Sequence, residues 1–394
     1  MNLHVGTASW ELTVSIHSEL PAEWPSAGAA PDGVFFTIFQ SREFIKAWMQ
    51  SFGKKPRWTP HFVKVLDAGG APLMLLPLCI EMHRGVRILS FLDQGHADYV
   101  GPVLFGAPVL TAEAMTDLWS RILDALPAVD IIRLEKIPPL IDAIPNPLRL
   151  FALSPDAASA HGNRLDQPWA DVERSIEFPK QVRKKERALQ RIARLDLLVA
   201  DNAEQRANLL ERLIIQKQQR FEEMRVAGYA EKPEHLAFLR CATSTFAASG
   251  NLLLCALTAN DEAIAIQWAL VQGPVVYALV NSHAGAPWSR FSCGRILNYR
   301  LIKLLHERGY RYFDQGFGDE AYKLNSSDTT IPLACFEEAR SVKGRLYLYL
   351  RQLRAAARSS KLGAKLREAK WIMIRKLRGN DPAPRSGTGP EDAP

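Results

Sequence analysis

Thirteen residues, Arg311 to Lys323 (RYFDQGFGDEAYK), place two adjacent acids, a tyrosine and a lysine directly behind an apolar, strand-like run. Such groups suit acid–base and group-transfer chemistry, in which a nucleophile loses a proton, an oxyanion is stabilised and a leaving group is protonated. Asp319 or Glu320 can accept the proton, Tyr322 can serve the leaving group, and Lys323 can pair with an oxyanion or an acidic acceptor. Gly316 and Gly318 permit a sharp turn at the strand end. The plainer alternative is a glycine-rich turn in which Asp319 caps a helix, Tyr322 packs and Lys323 is solvated. Asp314, closing the apolar run, is a candidate substrate contact whose commoner role is to bond loop amides.

A second stretch, APWSRFSCGRIL, reads as a strand-to-helix turn with Ser292 as N-cap. The amides of Cys293, Gly294 and Arg295 then stand free at a helix start, where a diphosphate can dock. Gly294 admits close approach of a ligand, and Arg290 and Arg295 can pair with phosphates. The alternative is an ordinary capped helix. Gln267, alternating with apolar residues on one strand, and His283, at the end of the next, are further candidates: a substrate contact and a base near neutral pH. Ser282 has no triad partner at a recognisable spacing.

The elements around these residues alternate in an α+β order. SREFIKAWMQSFG, with Ser41 as cap, and TAEAMTDLWSRILDAL, with Thr111 as cap, read as helices. Between them, HFVKVLDAGGAPLMLLPLCIEMHRGVRILSFL reads as an antiparallel meander. The plan repeats after the proline-rich IPPLIDAIPNPL: helices, then NLLLCAL, EAIAIQWALVQG and PVVYALVNSHA as strands, a helix ending at Gly309, and the strand YRYFD. Expected boundaries are an N-terminal segment (1–32), a first domain (33–170), a second, catalytic domain (171–340), a basic helical tail (341–379) and a disordered end (380–394).

The 394 residues are 47% hydrophobic and 23% charged, as in a core-forming globular protein. Five scattered cysteines without a CxxC pair suggest neither metal nor disulfide framework. The lack of a signal-like start or a long apolar run leads to a cytoplasmic expectation. Arg340 to Arg378 holds thirteen Lys/Arg against Glu368 alone, so the chain's net +7 resides in its tail.

Gln219-Arg220-Phe221, Ile264 to Gln267, Ser292-Cys293-Gly294, and Phe313-Asp314 with Gly318 to Lys323 together resemble the Gcn5-related N-acetyltransferase (GNAT) superfamily. They are similar in particular to its tandem-domain branch of cellulose-biosynthesis accessory acyltransferases and, more distantly, to the Fem peptidyltransferases. In the first half, FIKAWMQSFG, LLPL and Asp98-Tyr99 fit the same branch. The resemblance implies two tandem GNAT-like domains and an acyl-CoA donor bound at Arg290 to Arg295. It also implies N-acyl transfer to an amine of a lipid or envelope-polysaccharide precursor, ceramide-type N-acylation being one such chemistry. Where simpler GNAT enzymes carry two phosphate-loop glycines, this chain has Cys293 and Arg295. The rival readings are a Fem-like transferase using aminoacyl-tRNA and a non-catalytic accessory of polysaccharide synthesis.

Two basic segments complete the reading. Lys180 to Arg194 carries seven positive residues against Glu186, a face that draws anions or is simply solvated. In the tail, Leu346, Leu350, Leu353 and Ala357 form one helical stripe, and Leu366, Ala369, Met373 and Leu377, with Trp371, a second. Such a helix suits an anionic membrane surface at the inner face, or packs on the catalytic domain. Aromatic residues are not interleaved with the basic ones, so tRNA ranks lower, and DNA is not an expected partner.

Overall fold

The computed structural model describes residues 12–29 and 31–359, with side chains through residue 354. In the first lobe a mixed sheet holds β1 (Thr13–His17), β2 (Val34–Phe35), β3 (Trp58–Leu66), β4 (Pro72–His83), β5 (Val86–Phe91), β6 (Val103–Phe105) and β7 (Ile131–Ile137). A two-strand pair, β8 (Leu140–Ile141) and β9 (Ile144–Pro145), lies outside it. The expected meander is β3-β4-β5, antiparallel throughout. Helix α1 (Arg42–Ser51) starts at Ser41, whose hydroxyl accepts from the Phe44 amide at 3.3 Å, and α2 (Ala112–Ala125) at Thr111, which accepts from Ala114 at 3.2 Å. Each cap satisfies one of the amides that a helix start leaves unpaired.

The chain continues with β10 (Ser154–Pro155), which joins the first sheet, and then β11 (Ala160–Arg164), α3 (Trp169–Ser175), α4 (Pro179–Gln190), β12 (Leu195–Val199), α5 (Ala203–Met224), α6 (Pro233–Ala248), β13 (Leu252–Ala259), β14 (Glu262–Gln272), β15 (Val275–His283), α7 (Cys293–Glu307), β16 (Tyr312–Phe317), α8 (Ala321–Asn325), β17 (Thr329–Ile331) and β18 (Ala334–Ala339); β11 to β17 and their helices make the second lobe. The basic helix is shorter than SIEFPKQVRKKERALQRIARL suggests. Phe178, in the left-handed region at φ 50°, breaks the chain, and Pro179 opens α4 with a φ already suited to a helix.

The second sheet runs β12-β13-β14-β15-β16-β11-β17, antiparallel except for the parallel pair β15–β16. Alternation along β13 splits its side chains between two cores. Leu253, Cys255 and Leu257 pack with α4 and α7, while Leu254 and Ala256 pack with α5, α6 and the first-lobe helix α1. The rings of Phe44 and Phe238, 5.2 Å apart and edge to face, join α1 to α6 in that shared core.

The lobes also exchange strands across residue 170. β11 lies in the second sheet between β16 and β17, and β18 returns to the first sheet between β7 and β10. Val342 begins a separate unit, described here as α9 (Val342–Ser359). The second stripe of the expected tail, Leu366 to Leu377 with Trp371, and the end beyond 380 lie outside the described residues. No helix among the described residues is long and apolar enough to cross a membrane.

The exchanged strand β11 needs its glycine. A Cβ on Gly162 would meet the Tyr312 ring and come within 2.8 Å of the Phe313 carbonyl. Gly162→Ala should therefore cost about 1–3 kcal/mol in urea denaturation, since the Phe313 backbone and the half-buried Tyr312 ring must both shift. An unchanged midpoint would show that this pairing is slack.

Candidate active site

The parallel strands β15 and β16 pair only at Val275↔Tyr312, Val276↔Phe313 and Tyr277↔Asp314. β15 then runs on to His283 against β14, and β16 to Phe317 against β11, without further pairing to each other, so the sheet opens. A cavity of about 400 Å³ fills the opening, lined by Gln267, Asn281, His283, Gln315 and Tyr322, with Ser292 to Arg295 at its α7 end. Sequence reasoning had named Gln267, His283, Ser292, Cys293, Gly294, Arg295 and Tyr322, and all seven lie here.

At the start of α7 the details differ from expectation. Ser292 occupies the N-cap position in a left-handed conformation (φ 56°), and its side chain does not cap the helix. Its hydroxyl instead accepts from Lys185 of α4 at 2.7 Å. The Arg295 amide is not free, because it donates to the Ser292 carbonyl at 2.9 Å. Among the described residues the Gly294 amide has no protein acceptor, and a side chain there would be only 4.0 Å from the His283 ring. The Arg295 guanidinium sits 3.0 Å from Glu177. Arg290 stacks over Phe291 at 4.8 Å and does not line the cavity. The helix start thus presents the Gly294 amide to the cavity, with Lys185 bonded to Ser292 beside it, while Arg295 pairs with Glu177 and Arg290 is turned aside.

The elbow after β16 divides in the same way. Tyr322 faces the cavity, hydrogen-bonded to the Asn281 side chain, and burial pushes its phenol up to about 12. Asp319 caps no helix. Its carboxylate accepts from the Ser159 amide at 3.1 Å and meets the buried His161 ring at 2.9 Å, contacts that hold its pKa below the usual range. Glu320 pairs with Lys323 at 3.0 Å, and the Lys323 ammonium, buried in place of the expected solvation, donates to the Phe317 carbonyl at 2.6 Å. None of Asp319, Glu320 or Lys323 lines the cavity.

Asp314 lies within β16, not at its end. It accepts from the Tyr99 hydroxyl of the first lobe at 2.5 Å and from the Gly316 amide at 2.7 Å, away from the cavity. Burial raises its carboxyl to about 7. Beside it Asp98 crowds Gly316, which the conformation at φ 80° and the missing side chain both require to be glycine. Burial lifts Asp98 to about 6, against the opposing pull of Lys136 and Lys323. His161 carried no site signal of its own, Asp98 stood out only within the family-like Asp98-Tyr99 pair and Lys185 only within the basic run; each meets a partner more than a hundred residues away.

The comparisons agree with this geometry. Residues 177–324 match the model of the acetyltransferase (GNAT) domain, which supports placing the second lobe in that acyltransferase superfamily. A crystal structure of FemX superposes with a TM-score of 0.54 at 10% identity, covering 82% of this chain and 96% of that one. A conserved protein of unknown function from Bacteroides thetaiotaomicron gives 0.50 at 12% identity, covering 74% and 88%. At such identities the likeness is one of fold, and it extends over both lobes. No curated protein matches the chain.

The buried carboxyl at Asp314 has a measurable consequence. The folded chain holds this proton more tightly than the unfolded one, whose carboxyl titrates near 3.9. The stability it contributes is complete below about pH 4 and is lost as pH rises through 7. Buried His96, pushed down to about 3, slopes the opposite way below pH 6.5, so the comparison must be with Asp314→Asn. Between pH 4 and 8, wild type should lose about 2–4 kcal/mol relative to that variant in urea titrations. A pH-independent difference would mean that Asp314 titrates normally.

Proposed function

We propose that the chain is an acyl-CoA-dependent acyltransferase that acylates an amine, the acceptor being a lipid or envelope-polysaccharide precursor. The observation that carries this is the cavity in the opened sheet, closed at one end by a helix start with an unpartnered glycine amide and a lysine beside it. A thioester's diphosphate suits that end, since a helix start carries a partial positive charge and an amide without a protein acceptor. Arg295 and His283 border the same end.

Tyr322 is the residue placed to serve the leaving sulfur. A phenol at about 12 lies some three units above an ordinary thiol, so outright proton transfer to a thiolate is uphill by about 4 kcal/mol. Its role is therefore to donate a hydrogen bond to the sulfur as charge develops, which is worth most in a water-poor site. Asp98, raised to about 6 yet ionised at pH 7, is closer to the proton affinity of a useful base than Asp319, which His161 and Ser159 already engage.

The fold shared with FemX keeps a second donor, aminoacyl-tRNA, in play. Peripheral membrane attachment draws support from α9, where Leu346, Leu350 and Leu353 are exposed on one stripe among Arg345 and Arg354.

Turnover read as thiol release from acetyl-CoA and long-chain acyl-CoA tests the proposal. Tyr322→Phe should lower kcat about 10–100-fold while leaving donor affinity nearly unchanged. An unaltered kcat removes Tyr322 from the mechanism, and turnover with aminoacyl-tRNA alone would refute the CoA donor. A chain ending at Ser341 should lose sedimentation with anionic vesicles; equal sedimentation would exclude the tail as the anchor.

A further inference from the structure

A second cavity, of about 270 Å³, lies across the sheet from the first. Gln267 and Asn281 line the first cavity, whereas their chain neighbours Trp268 and Val280 line the second. Successive side chains of a strand point to opposite faces, so the two cavities back onto the same stretch of β14 and β15. Both lobes build the second one. The first supplies the turn Gly95 to Asp98, and the second supplies α5, the start of α6 and the loop between them. His96 and His235 meet at 3.0 Å across this junction, both kept toward the neutral form chiefly by burial.

The charge pattern here is unusual. Lys217 and Lys232 both line the cavity, and neither enters an ion pair among the described residues. Lys217 lies over the Phe221 ring at 5.3 Å, and burial lowers its affinity for a proton. Lys217 is half-buried and Lys232 exposed; a half-buried ammonium without a counter-charge is costly, and a bound anion would relieve it. Among the described residues the acidic side chain lining the cavity is Asp98, which stands beside Gly316 on β16, where the strands have parted.

We propose that this interlobe cavity binds the acceptor, and that the acceptor is a primary amine bearing a carboxylate or phosphate in the same molecule. Its acid group pairs with Lys217 and Lys232, and its amine lies on the Asp98 side, toward the opening in the sheet. The amine's role rests on the acyl-transfer reading above; the anion site does not. In the transfer the nitrogen–carbon bond forms as the thioester carbon–sulfur bond breaks. The incoming ammonium gives up two protons, one to Asp98 and one that ends on the thiolate, which leaves as a thiol.

The test uses the full chain and small probes: phosphoethanolamine for the phosphate, β-alanine for the carboxylate and ethanolamine as the neutral control. In calorimetric titrations at least one acidic probe should bind saturably and about tenfold more tightly than ethanolamine, and the stronger of the two names the acid. Lys217→Gln and Lys232→Gln should each weaken that binding about fivefold or more, with the melting temperature and CoA affinity unchanged. The proposal is overturned if ethanolamine binds as tightly, if both lysine variants bind like wild type, or if neither acid saturates by about 10 mM. Lysine-dependent probe binding in a protein that ignores CoA would instead remove the acyl-transfer reading and leave the anion site standing.

Discussion

β15 and β16 share hydrogen bonds at three register positions and then diverge, and the site is a consequence of that divergence. A parallel pair continued to the strand ends would close the sheet and leave the backbone fully paired. Here the two ends part, each still paired on its outer side, one leading to the α7 start and the other to the elbow that carries Tyr322. Backbone groups on the inner edges need partners from side chains or a ligand. Gln267 reaches the Val280 carbonyl at 3.3 Å.

The divergence must be fixed at its apex, and the first lobe does so. Tyr99 donates to Asp314 at the last paired position, and Asp98 occupies the space that the missing side chain of Gly316 leaves. The exchanged strands β11 and β18 then tie the two sheets into one compact unit. On this account the first lobe is a structural part of the site, because it sets where the second sheet opens.

Much of this was legible from local pattern. Ser41 and Thr111 announced their helices, the glycine turns marked the meander, and the strand–turn–helix pattern around Ser292 located the helix start that borders the cavity. What escaped has a common physical cause. β11 is AHGNR, a polar stretch with none of the apolar alternation expected of a buried strand. It is a strand because β16 and β17 need a partner between them, and its buried polar groups are satisfied by Asp319, Ser175 and Ser326. Asp319 looked like a base because its engagement with His161, 158 residues distant, cannot be read locally. Likewise nothing near Ser292 revealed that Lys185 would take its hydroxyl and leave the helix uncapped for a ligand.

The central claim is that a CoA diphosphate docks on the start of α7, at Gly294. Calorimetric titration of CoA into wild type and Gly294→Leu tests it most directly, because leucine at that position would project toward His283 and fill the docking point. The account predicts saturable binding to wild type and at least about a tenfold loss in the variant, with the melting temperature preserved. Equal affinity in the two proteins, or no binding to wild type, would contradict it.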